Sequence, residues 1–128
     1  MQPNTHLDID QTLCGEPIEL ADGRAVVRMT TTPSMVADAR GLVHGGFVFG
    51  LADYAAMLAV NDPLVVLGAA EVRFVAPVAV GEVVVAEAER REQKGKKHVV
   101  AVRARVGERE VMTGTLTTFV LEKHVLDG

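Results

Sequence analysis

The sequence predicts an α+β domain in which an antiparallel sheet of about five to six strands wraps around one long central helix, near residues 45–60. Three observations carry that prediction. Apolar and polar residues alternate with a period of two over much of the chain, the pattern of half-buried strands. Only one stretch, Gly45 to Val60, is long and apolar enough to be a buried helix. An antiparallel sheet cannot leave its apolar face in water, and a single helix is the simplest cover for it.

Residues 1–10 are polar and read as an irregular arm. "EPIELADGRAVVRMTTT" reads as a hairpin, because Asp22-Gly23 is a strong two-residue turn signal between apolar runs. Ala25, Val27 and Met29 share one face of its second strand, and Val26 and Arg28 share the other. "PSMVADARG" is a loop with at most one helical turn. After the helix the chain is strand upon strand. In "LVVLGAAEVRFVAPV" Val72, Phe74 and Ala76 oppose Glu71 and Arg73, and Pro77 and Gly81 break the run. "EVVVAEAERRE" sets Val84, Ala86 and Ala88 against Val83 and Val85. "KGKK" (Lys94 to Lys97) is a charged turn, and "HVVAVRARV" then points Val100, Val102, Ala104 and Val106 inward. "GERE" turns the chain into "VMTGTLTTFVL", a last strand rich in β-branched residues. No repeat or linker interrupts the chain, so residues 1–128 read as a single domain.

The bulk numbers narrow the function. The chain has 128 residues, 48% hydrophobic and 23% charged, enough for one real core. A net charge of −4 leaves no basic footprint for nucleic acid, and the absence of Trp argues against a stacking platform for single strands. Cys14 is the one cysteine, which excludes a disulfide framework and a cysteine-based zinc site. His6, His98 and His124 are spread over arm, strand and tail without metal-ligand spacing and read as solvated or lightly packed. A reducing cytoplasm is the simplest setting, since "MQPNTHLDIDQTL" lacks the basic start and apolar run of a secretory signal. The apolar run from Phe47 to Val60 is too short to span a membrane and carries Asp53.

Asp53 is the residue that asks for an explanation. Two readings are open. "FVFG" can be a short strand, with Asp53 as the N-cap of a helix that begins after it. Alternatively the helix starts near Gly45, and Asp53 lies in its middle among apolar neighbours. A carboxylate buried there costs several kcal/mol unless it is partnered, so it is either satisfied or functional. In that second case Gly45 and Gly46 offer free backbone N–H groups at a helix N-terminus, the arrangement that polarises a carbonyl. His44 is placed to add a donor, and Asp53 to act as general base or nucleophile. Gly46 and Asp53 are seven residues apart, roughly 10 Å along a helix. They cannot both reach one carbonyl from a single chain. If both act on one substrate, two antiparallel copies of the helix must meet across a twofold axis, which makes the protein an obligate homodimer with two equivalent sites.

"HGGFVFGLAD" (His44 to Asp53) resembles the signature of the hot-dog-fold thioesterases, specifically the PaaI-like (phenylacetic acid degradation) group, in which an acid follows the His of His-Gly-Gly by nine residues. "VRFVAPVAVGEVVVAEAE" resembles the same family's strand motif, an aromatic and a Pro followed by Gly-acid. The resemblance covers roughly residues 14–121. It implies a sheet wrapped round one helix, dimers that pair into larger homo-oligomers, and hydrolysis of acyl-CoA thioesters. Carried over by position, Asp53 is the catalytic carboxylate, Gly46 supplies the polarising N–H, and His44 shapes the site. Gly45, Asp38 and Arg40 fall where the substrate binds. No metal or cofactor is implied; coenzyme A is part of the substrate. One departure stands out. The family commonly carries Asn six residues before the His, where this chain has Asp38. An acid there repels a hydroxide-like nucleophile unless it is protonated or paired with Arg40.

Other residues fit the ordinary background. Tyr54 points about 100° away from Asp53 on a helix and reads as packing. Ser34 lacks a nucleophile-elbow context. Arg40, Arg73, Arg90, Arg91 and the "KGKK" turn are available to coenzyme A phosphates but read equally as solvated charges. A non-catalytic acyl-CoA-binding module that senses or sequesters its ligand is the alternative to the enzyme, because a fold does not imply an activity. A hydratase or dehydratase on the same fold ranks behind both.

Overall fold

The structure, a computed structural model, describes residues 1–128. A two-residue turn at Asp22-Gly23, with Gly23 at φ +77°, joins β1 (Glu16–Ala21) to β2 (Arg24–Thr30). A single 3-10 turn (Pro33–Met35) follows. The long helix spans Gly45–Val60, and β3 (Val65–Phe74), β4 (Val83–Lys94), β5 (Lys97–Val106) and β6 (Arg109–Val120) complete one antiparallel sheet in the order β1-β2-β4-β5-β6-β3. The expected α+β architecture, its helix bounds and its six strands are all present.

The period-two patterns resolve into one core. Ala25, Val27 and Met29 of β2, Val84, Ala86 and Ala88 of β4, Val100, Val102 and Ala104 of β5, and Met112 and Leu116 of β6 are all buried. They pack on the helix, whose Val48, Leu51, Ala52, Tyr54 and the run Ala55 to Ala59 are buried with them. The outward positions carry Arg28, Glu89 and Arg103, all exposed, and an Arg105–Glu87 ion pair across β4 and β5. The helix ends where Asn61 turns left-handed and its N–H donates to the Met57 carbonyl at 2.7 Å, with Pro63 just beyond.

Two features go beyond the sequence expectation. The N-terminal arm has no regular element, yet it is tied down. The Asn4 N–H donates to Asn61 Oδ1 (2.7 Å), Asn61 Nδ2 donates to the Gln2 carbonyl (3.0 Å), and Thr5 is buried. It leads into a helical turn, α1 (Gln11–Cys14), capped by Asp10, which accepts from the Thr12 N–H at 2.9 Å. The Gly45–Val60 helix is therefore α2. His98 corrects an expectation. It is only 6% exposed, because the inward face of β5 begins with it, and its Nδ1 has no hydrogen-bond partner. Burial pushes its pKa below the ordinary histidine value, with the nearby Arg90 adding to the effect.

The two edges of the sheet differ. β1 carries Pro17 and a register shift between Pro17 and Glu19, devices that discourage further pairing. β3 has ten residues and no proline, and its outer half (Gly68 to Glu71, Arg73 and Phe74) is exposed. Against its inner neighbour β3 sits very close. A Cβ on Gly114 of β6 would collide with the Glu71 carbonyl oxygen and stand 2.7 Å from Val72 Cα. Gly114→Ala therefore forces β3 off β6 and is expected to cost about 1–3 kcal/mol, an overpacking penalty. Urea denaturation of the two proteins measures it; an unchanged midpoint would contradict this close approach.

Candidate functional site

The site is built around the start of α2. The chain reaches it through a clamped loop: the Val43 N–H donates to the Val78 carbonyl (2.8 Å) and the His44 N–H to the Met35 carbonyl (2.9 Å). Within that loop Asp38 Oδ1 accepts from the backbone N–H groups of Arg40 (2.9 Å) and Leu42 (3.1 Å). This is an Asx-type turn. Asp38 is thus held by the Arg40 main chain. Of the two conditions under which an acid there would not repel a nucleophile, pairing with the Arg40 guanidinium is not met, because the Asp38 side chain folds back on its own loop.

His44 precedes the helix in an extended conformation, and the Phe47 N–H donates to its carbonyl at 3.0 Å. The N–H groups of Gly45 and Gly46 have no acceptor among the turn, loop or side-chain bonds of the chain. The exposed His44 ring lies over Gly46, where a Cβ would come within 3.1 Å of its Cδ2 and Nε2. Glycine at that position therefore lets an imidazole and a bare backbone amide share one spot. His44 also meets the Phe47 ring edge-on, with centroids 6.2 Å apart.

Asp53 lies in the middle of α2, so the cap reading is excluded. The reason is local: no turn residue separates Gly50 from the run that follows, and the helix continues through it. Oδ1 of Asp53 is buried and has no hydrogen-bond partner. Burial pushes the carboxyl pKa from 3.8 up to about 6. Cys14 of α1 is close enough to feel Asp53; burial, then Asp10, then Asp53 push its thiol pKa upward. Tyr54 is buried beside the arm, with the His6 ring 6.2 Å away.

On a helix, positions 46, 49, 50 and 53 share one stripe. Gly46 is exposed and Phe49, Gly50 and Asp53 are half-buried, so this stripe is the part of α2 that neither sheet nor arm covers. Gly46 and Asp53 lie on it two turns apart, roughly 10 Å. The chain brings His44, Gly45 and Gly46 together and leaves Asp53 separate. A trough of about 350 Å³ runs beside Gly45 and is walled by Val48 and Phe74. Phe74 is 53% exposed, so it lines this trough more than it fills the core. A larger cleft of about 670 Å³ adjoins it and contains Asp38, Arg40, Glu82 and Arg109. Neither Gly46 nor Asp53 lines either cleft. Sequence reasoning missed Arg109 and Glu82: they are 27 residues apart, and only the folded sheet joins them. No cluster of three or more His, Cys, Asp or Glu side chains has the geometry to hold a metal ion. No helix is long and apolar enough to cross a membrane.

Comparison with known proteins places this geometry in a family. Among solved structures, PH1136 from Pyrococcus horikoshii matches at 52% identity, with a TM-score of 0.98 over 99% of this chain and 98% of that one. The E. coli PaaI protein from the phenylacetic acid degradation operon matches at 26% identity and a TM-score of 0.81, over 89% of this chain and 84% of that one. A hypothetical thioesterase with coenzyme A from Streptococcus pneumoniae matches at 25% identity and 0.76, over 85% and 87%. Among curated proteins, an Aquifex aeolicus protein named methylthioribose-1-phosphate isomerase is 50% identical over 94% of this chain, but the chain spans only 26% of it. The transcription factor FapR of Caldanaerobacter subterraneus is 33% identical over 88% of the chain, which spans 56% of that protein. The thioesterase superfamily model matches residues 40–113, more than half of the chain, and with the six-stranded sheet around one helix this shows that the chain belongs to the thioesterase superfamily and has its hot-dog fold.

Proposed function

We propose that the chain is an acyl-CoA thioesterase whose active site is completed by a second copy. One observation carries the reading. A desolvated, unpartnered carboxylate and an unspent helix N-terminus share the one uncovered stripe of α2, too far apart to serve a single carbonyl. Two antiparallel copies of α2 bring the Gly46 of each beside the Asp53 of the other. The midpoint between positions 46 and 53 falls at Phe49 and Gly50, where the twofold axis would pass. A Cβ on Gly50 meets nothing within 4 Å in its own chain, so this glycine serves no packing need of the single subunit. The unprotected β3 edge supports the same pairing. Further pairing of dimers belongs to this reading, as does the reducing cytoplasm that suits a lone free thiol.

The chemistry follows from those groups. The Gly46 N–H donates to the thioester carbonyl oxygen, with the Gly45 N–H and the helix dipole adding to the positive end. The Asp53 carboxylate takes a proton from water as the water oxygen attacks the carbonyl carbon. The tetrahedral intermediate then collapses, the carbon–sulfur bond breaks and the thiolate takes up the proton. In the nucleophilic version the carboxylate attacks the carbonyl carbon, the carbon–sulfur bond breaks with loss of the thiolate, and water then hydrolyses the mixed anhydride, restoring the carboxylate and supplying the proton that the thiolate takes up. His44 shapes the oxyanion side. Asp38 serves as a loop staple that keeps Arg40 and Leu42 in place, with its carboxylate engaged by N–H groups. No cofactor takes part beyond the coenzyme A of the substrate.

A non-catalytic binding module is the second reading. The similarity to a transcription factor over 88% of the chain favours it. Stabilisation of the protein by an acyl-CoA, with no release of thiol, would select it.

Three outcomes test the enzyme reading. Thiol release from short, long and aromatic acyl-CoAs is expected to rise with pH through about 6, as Asp53 ionises, and to level off above it. Asp53→Asn should lower turnover by about a hundredfold to ten-thousandfold and at the same time stabilise the fold. The sign follows from the raised pKa. The acid form fits the site, so stability is greatest below pH 3.8, falls as pH rises through about 6, and stays low above it. The variant should match wild type near pH 3.5 and exceed it by up to about 3 kcal/mol at pH 8 in denaturant titrations. Gly50→Leu should leave the subunit folded but shift sedimentation toward monomer and abolish activity. A fully active monomer would rule out the shared site.

A further inference from the structure

We infer that the N-terminal arm and α1 close the acyl side of the shared site, so that the site takes short acyl groups and turns away fatty ones. The inference rests on the two-copy acyl-CoA reading above and names the substrate class of that site.

Gly46, Gly50, Asp53 and Met57 follow one another on one stripe of α2, at intervals of three or four residues. Gly46 is exposed, Gly50 and Asp53 are half-buried, and Met57 is 1% exposed. The stripe is therefore open as far as Asp53 and closed one turn beyond it. The sheet packs on the other sides of the helix. What meets this half of α2 from outside the sheet is the arm with α1.

Several contacts hold the arm there. Asn61, at the end of α2, accepts from the Asn4 N–H and donates to the Gln2 carbonyl. Thr5 is buried, and its Oγ1 lies 2.8 Å from His6 Nδ1. His6 is left-handed (φ +55°), a backbone that a side-chain-bearing residue keeps only where its contacts impose it, and its ring is set 6.2 Å from Tyr54. The exit from α1 is as tightly seated. A Cβ on Gly15 (φ +98°) would stand 2.8 Å from Leu51 Cδ1 and from Val27 Cγ1, so the backbone there lies directly on α2 and β2. Ile9 and Cys14 pack against the core, and Cys14 is near enough to Asp53 to feel its charge.

Reach then decides what the site admits. In the two-copy site the thioester carbonyl lies between the Asp53 of one copy and the Gly46 of the other, and two groups leave it. Coenzyme A is large and charged and needs the open side, where His44 and Gly46 are exposed. The acyl group is left with the side toward Tyr54 and Met57. From Asp53 to Met57 is one turn, roughly 6 Å along the axis. A short acyl group fits in that length; a fatty chain has to displace the arm.

Thiol release from butyryl-CoA and palmitoyl-CoA tests this in wild type, Asn61→Gly and Thr5→Asp. Asn61 is left-handed (φ +54°), which glycine adopts freely, so Asn61→Gly keeps the helix end and removes both side-chain bonds to the arm. Thr5→Asp puts a charge at a buried position of the arm and unseats it. Tyr54 is the one tyrosine and the chain has no tryptophan, so acrylamide quenching of its fluorescence reports release of the arm. Both variants should expose Tyr54 and raise kcat/KM for palmitoyl-CoA at least about tenfold, the worth of methylenes readmitted to an apolar pocket, while butyryl-CoA stays within about twofold. Three results overturn the role of the arm and leave the thioesterase reading standing: a wild type that turns over palmitoyl-CoA as fast as butyryl-CoA, variants that expose Tyr54 without changing that ratio, or variants in which Tyr54 stays as protected as in wild type. A wild type that releases thiol from no acyl-CoA overturns both.

Discussion

The helix α2 is apolar on every side but one, and on that side it carries a carboxylate for which the chain supplies no donor. The rest of the architecture can be read from this constraint. Six strands bend round the helix to bury its apolar sides, and the N-terminal arm closes over Tyr54 and the C-terminal half. What stays open is the stripe from Gly46 to Asp53. A helix buried all round could not keep an ionisable Asp53 at an acceptable cost. A helix exposed on a broad face would hydrate the carboxylate and return its pKa to the ordinary range. The narrow opening does neither, and desolvation holds the carboxyl near pH 6, where it is mostly ionised at neutral pH yet retains the basicity of a poorly solvated anion.

Glycine meets three different surroundings in the first half of α2. At Gly46 it makes room for the His44 ring, which would otherwise meet a Cβ at 3.1 Å. At Gly50 it leaves space that nothing in the chain fills. Gly45 brings its backbone under Phe74, whose ring would touch a Cβ at 3.5 Å without clashing. Only the first is explained by packing within one subunit. The second makes sense if another backbone approaches there, which is where a twofold axis relating Gly46 to Asp53 would lie. Sterics and reach thus support the same proposed dimer.

Much of this was legible in the sequence. The strands showed as period-two alternation, and the helix as the one long apolar run, Gly45 to Val60. Asp53 had two readings on pattern alone, and the lack of turn chemistry after Gly50 is the feature that decides for mid-helix. Other parts could not be read, for physical reasons. His98 sits at the first inward position of β5, and only the register of the strand reveals that it is buried rather than part of the charged turn beside it. Arg109 and Glu82 are ordinary surface charges until the sheet closes and sets them 2.9 Å apart. The docking of the arm depends on a single side chain, Asn61, which gives one hydrogen bond to it and accepts another. No local pattern encodes such a contact. Asp38 is the reverse case. Its identity was plain, but its role lay in which donors it would find, and these are the N–H groups two and four residues on.

The same constraint separates the two functional readings. A module that only binds an acyl-CoA needs a polarised carbonyl pocket, an apolar trough and an anchor for phosphate. All of these can be made from amides, aliphatic side chains and arginine, at no cost in desolvated charge. It has no use for an ionisable acid without a donor, and replacing that acid with a neutral isostere would relieve the fold of about 3 kcal/mol at neutral pH. Such a cost on a protein of ordinary marginal stability is a large fraction of the total. It is tolerable where the group does work that a neutral side chain cannot do, which for a carboxylate facing an electrophilic carbonyl is to take a proton from water or to attack directly. On the proposed reading, the buried acid is there for chemistry and not for recognition.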